Sequence, residues 1–513
     1  MKKFFVLGPL LAVLLAPSAR AEVRLASPFT SHMVLQCGRI VPVWGTADPG
    51  EKVTVEFAGQ QRSVIADTNG CWRVNLKRMA PSAASRTFTV SGSKTAQPLQ
   101  LDDVLVGEVW LASGQSNMDF SLSKKVKYFA GVTNEEQEIA AANYPLLRLF
   151  TGTAVRTNVP QRSVGGEWQV CTPANAPAFS AVGYFFGRDL QREIKLPVGI
   201  VTLAFGASTA EAWISREALA ADPKLKPTLD RFDAAVEQFR TNPPPVVVAR
   251  SEDVSATNPP AGRRSRRSAP HNPIQDQHNA TVLFNGMIQP VIPFALRGAI
   301  WYQGESIVGG PAGIALYPRM QAALVRDWRA RWGEGDFPFY IVQLPGQEAA
   351  SNSPQVREAQ ATILRLPHTG MAVTTDIGEP KNVHPKNKQD VGDRLARLAL
   401  ANVYGRKLEC SGPTYQSMKI EDGAIRIKFS HADGLTARDG SLKWFAIAGA
   451  DGKFVPAEAR IDGSTVVVRN PEVTAPVAVR HAWVNYPEGG HLYNSAGLPA
   501  PQFRTDAPVT TTE

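Results

Sequence analysis

Apolar and polar residues alternate with a period of two at both ends of this chain, and with longer periods through its middle. Residues 41–45, 52–57 and 71–76 place Val, Trp, Phe or Leu at every second position. They are separated by Asp48-Pro49-Gly50 and Asp67-Thr68-Asn69-Gly70, which are turn-forming sequences. Short strands at this spacing predict an all-β region over residues 22–100, of immunoglobulin or jelly-roll sandwich type. The same pattern returns at 424–429, 465–468 and 477–484, with Asp422-Gly423, Asp451-Gly452 and Asp462-Gly463 as turns. It predicts a second β-domain over 405–513. Between the two, helical patterns at 181–193, 317–332 and 390–404 alternate with apolar runs at 198–205, 298–302, 339–344 and 371–374. Alternating units of this kind predict an α/β domain over 101–404, a parallel sheet with helices on both faces. Residues 221–275 interrupt it with a polar helix candidate (229–240), two proline clusters and four arginines. This segment reads as an insertion with no core of its own.

One apolar run sets the organisation of the rest. Residues 104–112 form a buried strand that stops at Ser113-Gly114, and Gln115-Ser116-Asn117-Met118 follow. The end of such a strand is where open α/β sheets place ligands. Three further strand ends carry polar clusters: Gly206-Ala207-Ser208-Thr209 followed by Glu211-Ala212-Trp213, Gln303-Gly304-Glu305-Ser306, and Asn382-Val383-His384-Pro385. Brought to one edge of a parallel sheet, they supply what acyl transfer needs. That inventory is a hydroxyl nucleophile, a base, a group to orient the base, and donors for an oxyanion.

Composition narrows the class without changing this picture. The 513 residues, 43% hydrophobic and 20% charged, are those of a multidomain globular protein. The formal net charge of +9 is local in origin: Lys2, Lys3 and Arg20 lie in the first 21 residues, and Arg263, Arg264, Arg266 and Arg267 in one short stretch. It therefore implies no nucleic-acid partner. Lys2-Lys3, the apolar run 4–15 and Ala19-Arg20-Ala21 read as a signal peptide (1–21) cleaved near Ala21. The expected location is periplasmic or secreted, with no membrane anchor. In that oxidising setting Cys37 and Cys71 are the first pair to consider for a disulfide, with free thiols as the alternative. No Cys or His spacing suggests a metal, and no cofactor is expected.

Several of these stretches, in order, resemble the sialate O-acetylesterase family of the SGNH hydrolases. They are Gly-Gln-Ser-Asn-Met at 114–118, Trp-Tyr-Gln-Gly-Glu-Ser at 301–306 and Val-His-Pro-Lys-Asn-Lys at 383–388. Supporting likenesses are Gly-Glu-Val-Trp-Leu at 107–111, Glu-Ala-Trp at 211–213, Leu-Phe-Asn-Gly-Met-Ile at 283–288, Arg-Glu-Ala-Gln at 357–360 and Leu-Tyr-Asn-Ser-Ala-Gly-Leu-Pro at 492–499. The resemblance implies a flavodoxin-like three-layer α/β/α domain flanked by the two β-domains. It implies Ser116 as nucleophile, His384 as general base and then acid, and an oxyanion hole from the Ser116 and Gly206 N–H groups with the Gln303 side-chain amide. Where such enzymes carry Asp before the histidine, this chain has Lys381 and Asn382, so Glu305 becomes the expected third member. Asp376, Glu379 and a backbone carbonyl are the alternatives. Gln115, Asn117 and Trp213 are expected at the substrate. Ala207 replaces a usual glycine and Ile307 a usual asparagine. The implied substrate is an acetylated sugar, sialic acid first and xylan or xyloglucan next; a non-catalytic carbohydrate-binding protein is the competing expectation.

Overall fold

The computed structural model of the chain describes residues 22–242, 272–307, 310–350, 352–438 and 440–506. The expected leader (1–21) and the arginine cluster (263–267) lie outside the described residues. The centre is a sheet of seven strands: β1 (Leu99–Gly114), β2 (Tyr144–Thr151), β3 (Trp168–Cys171), β4 (Val198–Ala204), β5 (Gly298–Tyr302), β6 (Phe339–Val342) and β7 (Thr369–Ala372). Their order across the sheet is β3-β2-β4-β1-β5-β6-β7. All run parallel except β3, which pairs antiparallel with β2 at one edge. From Val104 to Gly114 every residue of β1 is buried, as expected for a strand covered on both faces.

The aromatic packing shows how both faces are covered. Neighbouring residues on a strand point to opposite faces, and here they are Phe339 and Tyr340. Tyr340 stacks on Trp110 (5.8 Å between centroids), which meets Phe186 of α1 (Ala181–Ile194) at 5.1 Å. Phe339 meets Trp328 of α2 (Pro311–Trp332) at 5.9 Å, and Trp328 also meets Trp301 of β5. Two further helices follow, α3 (Ser353–Ala361) and α4 (Lys388–Asn402). The last lies against α1, and glycine permits the approach: a Cβ on Gly392 would sit 2.3 Å from that of Phe185.

At its N-terminal end β1 belongs to a second ladder, antiparallel to Ser82–Gly92 and parallel to Val34–Gln36. The boundary expected between residues 100 and 101 thus falls inside a 16-residue strand. One apolar core runs through it, from Val34 and Phe88 to Trp110 and Trp301. Cys37 and Cys71 are not bonded to each other. Cys37 donates to Glu108 Oε1 (3.0 Å), Cys71 accepts from Arg162 (3.2 Å), and all four cysteines are free. The described part of the expected insertion includes the helix expected near 229–240. The helix Lys226–Thr241 buries Leu229 and Phe232 in the main core, because its apolar positions recur on one face.

The C-terminal strands form two four-stranded antiparallel sheets around a core of their own, including Ile425, Ile427, Val466, Val468 and Phe445. Asp422 and Gly423, with φ of 45° and 75°, turn Thr414–Glu421 back into Ala424–Ser430, as a two-residue hairpin requires. The buried Arg357 of α3 fastens this region to the sheet, donating to Gln502 Oε1 (2.6 Å) and to the carbonyl oxygens of Val484 and Asn485. Among the described residues, no helix is long and apolar enough to cross a membrane.

Candidate active site

The chain leaves β1 toward one side of the sheet and returns to the other, so the crevice between β4, β1 and β5 is the point where strand order reverses. The three strands end level: Ala204 and Tyr302 both stand opposite Gly114. Gly114 is needed there, since a Cβ would lie 2.1 Å from the Tyr302 carbonyl oxygen and its φ is +140°. A turn follows, closed by the Met118 and Asp119 N–H groups donating to Gln115 O (2.8 and 2.9 Å). Ser116 sits within it.

His384 arrives from the loop between β7 and α4. Its Nε2 lies 2.8 Å from Ser116 Oγ, across 268 positions of sequence. The ring packs on Phe129, centroid to centroid 4.7 Å. Burial, and secondarily the Lys388 charge, push its pKa down to about 4, so the imidazole is a neutral acceptor at ordinary pH. Asn382 holds the loop by accepting from the His384 N–H (2.9 Å) and donating to the His384 carbonyl and to Glu379.

Glu305 does not reach the imidazole. Its Oε1 accepts from Asn117 Nδ2, which also donates to Val383 O (2.9 Å), while Lys388 Nζ donates to Asn117 Oδ1 (2.6 Å). Lys388 is fully buried, its ammonium over the rings of Phe120 and Tyr302, and burial pushes its pKa down to about 7. Burial pushes the Glu305 carboxyl up. The expected third catalytic member is thus one end of a Lys388–Asn117–Glu305 chain under the nucleophile's turn. The other carboxylates are committed too: Asp376 to Arg394 and Tyr493, Glu379 to Asn382 and the Lys386 N–H. Among the described residues no carboxylate bonds to His384.

The expected oxyanion donors divide. A Cβ on Gly206 would lie 3.8 Å from that of Ser116, which puts the Gly206 backbone beside the nucleophile. Among the described residues, neither the Ser116 nor the Gly206 N–H donates a hydrogen bond. Gln303 is different. Its amide donates to Gln115 Oε1 (3.2 Å) and Ser208 O (3.1 Å), and its Oε1 accepts from Tyr317 (2.9 Å), so both its N–H bonds are occupied. The three expected substrate contacts are also inward. Gln115 Oε1 gathers donors from Gln303, Gly304 and Ser306, Asn117 is wholly buried, and Trp213 is buried against Trp301 with its Nε1 on Ser208 Oγ. Lys388 was visible in sequence as the last residue of the 383–388 motif, yet nothing in the pattern told a buried lysine from a solvated one. A cleft of about 1450 Å³ lies elsewhere, between α2, α3 and the segment around Ala218, and its lining includes neither Ser116 nor His384. Among the described residues, no group of three or more His, Cys, Asp or Glu is placed to hold a metal ion.

Comparison with known proteins agrees with this chemistry. Residues 274–401 match the family model described as "Carbohydrate esterase, sialic acid-specific acetylesterase". Sialate O-acetylesterase of Mus musculus is 28% identical, over 97% of this chain and 98% of the relative; that of Homo sapiens is 27% identical, over 97% and 96%. The crystal structure of a carbohydrate acetylesterase from Xanthomonas citri is similar with a TM-score of 0.79 and 35% identity. That match covers 95% of this chain and 100% of the other.

Proposed function

As a member of the carbohydrate acetylesterases, this chain is a carbohydrate O-acetylesterase, and we propose that it works through an acetyl-enzyme formed on Ser116. Ser116 Oγ attacks the acetyl carbonyl carbon while its proton passes to His384 Nε2. The oxyanion accepts from the Ser116 and Gly206 N–H groups, whose hydrogen bonds are free for it. The bond from the acyl carbon to the sugar oxygen breaks, and the sugar oxygen takes the proton from His384. Water, deprotonated by the same imidazole, then releases acetate. His384 acts here as one half of a Ser–His dyad, held by Asn382 and Phe129.

The observation that carries this reading is the 2.8 Å approach of His384 to Ser116. Sialic acid is the first substrate expected, on the strength of the family description and of the names of the relatives. We read the sheet with its helices as a three-layer SGNH-type unit flanked by two β-sandwich-type units, and the chain as exported to the periplasm or beyond. The test is acetate release from acetylated sialic acids, xylan and xyloglucan by wild type and by Ser116→Ala. Turnover lost at least a thousandfold in the variant is expected; equal turnover would remove Ser116 from the mechanism.

A further inference from the structure

Tyr128 is 95% exposed, more than any other large hydrophobic side chain among the described residues. The loop that presents it is well tied down. Val126, Ala130 and Gly131 N–H groups donate to Ser123, Lys127 and Ser121 carbonyls, at 3.2, 2.9 and 3.3 Å. Glu135 accepts from Ser123 Oγ (2.6 Å) and the Lys124 N–H (3.2 Å), and Lys127 pairs with Asp119. An aromatic side chain held in water by so many bonds is placed there, not frayed into it. Its ring meets Phe129 edge-on at 5.5 Å, and the Phe129 ring lies 4.7 Å from that of His384. Tyr128 thus stands two ring contacts from the base, within reach of a short oligosaccharide whose ester is at Ser116.

The surroundings indicate the chemistry of the ligand. Lys124 and Lys125 are exposed, and their ammonium groups make no ion pair among the described residues. With only Val126 exposed beside it and hydrated cations around, the Tyr128 face makes too small an apolar patch for a dehydrated protein interface. It suits a ligand that offers a C–H face to the ring and keeps its hydroxyls, or a carboxylate, in water. We propose that Tyr128 is a sugar platform, stacking on the pyranose next to or bearing the acetyl group and so selecting which glycans are deacetylated. This rests on the reading of the site as a sugar esterase and assigns it a specificity-determining residue.

The binding test uses Ser116→Ala protein, titrated calorimetrically with an O-acetylated sialyl oligosaccharide and an O-acetylated xylo-oligosaccharide. Adding Tyr128→Ala should weaken binding of at least one about tenfold, while adding Tyr128→Phe, which keeps the ring, should restore it to within about twofold. In otherwise wild-type enzyme, Tyr128→Ala should lower the ratio of kcat/KM for that glycan to kcat/KM for p-nitrophenyl acetate about tenfold, chiefly through KM. Unchanged affinity for both glycans, no binding of either, or equal losses on glycan and p-nitrophenyl acetate would each overturn the platform. Equal losses would mean that the loop acts through Phe129 on the base. A wild type that binds these glycans through Tyr128 but never deacetylates them would instead count against the esterase reading.

Discussion

The perturbed imidazole gives the sharpest quantitative prediction. His384 must be neutral to accept the Ser116 proton, and burial together with the Lys388 charge pulls its pKa from 6.5 to about 4. At pH 5 such a group is ~90% neutral, whereas one at 6.5 would be only ~3% neutral, a difference of about thirtyfold in active enzyme. We therefore expect kcat/KM for p-nitrophenyl acetate to stay near its plateau from pH 7 to about 5 and to fall only around pH 4. The two causes separate by mutation. Lys388→Met removes the cation but leaves the burial, which is the larger cause, so the acid limb should move upward and stop short of 6.5. The sign for stability is the same. The unfolded chain takes up this proton from about pH 6.5 and the folded one only near pH 4, so acidification between these values favours unfolding. The profile is measured by stopped assays of acetate release at constant ionic strength. A wild-type acid limb centred near 6.5, or one that Lys388→Met leaves in place, would refute the argument.

Three further outcomes follow from named contacts. Glu305→Gln keeps an oxygen for Asn117 to donate to and should lower kcat less than about tenfold, far below the loss in His384→Ala, by steady-state kinetics. Gln303→Leu leaves the Ser208 carbonyl without its donor in the core, while Gln115 Oε1 keeps Gly304 and Ser306 and the Tyr317 hydroxyl keeps the backbone carbonyl of residue 303; at a cost of about 1–3 kcal/mol it should appear first as a lowered melting temperature. Arg357→Met strips donors from Gln502 and from the Val484 and Asn485 carbonyls. It should cost about 2–4 kcal/mol and make the C-terminal strands the first target of limited proteolysis.

How far the sequence could be read depends on whether the deciding interaction is local. Lys52–Phe57, Cys71–Leu76 and Gly298–Tyr302 form strands with the bounds their alternation or apolar runs predict, because half-burial and flanking turn residues are written into each segment. β2 carries no such pattern: Pro145 and Arg148 break its apolar run, and Arg148 is tolerated in the sheet because it finds Asp103 and the His32 carbonyl oxygen from distant segments, besides the Pro145 carbonyl of its own strand. The four strand-end clusters of the site were legible as chemistry, and Ser116 and His384 do meet. The work of the amides was not. Gln303, Asn117 and Gln115 are polar residues at strand ends, and only the three-dimensional arrangement shows that Gln303 bonds to Gln115, and Asn117 to Glu305, Val383 and Lys388. Glu305 was assigned by resemblance to the base and finds Asn117 instead, since the lysine that makes this pocket hospitable lies 83 positions downstream at Lys388.

The length of β1 has an outcome for anyone who would treat this protein as a set of detachable parts. One uninterrupted strand is an inner member of two ladders at once, so a cut at residue 100 would strip the partners from its first half and bare a fresh edge just upstream of Ser116. The amino-terminal strands therefore cannot be traded between enzymes as a cassette; whatever reshapes them is inherited by the platform that carries the reacting hydroxyl.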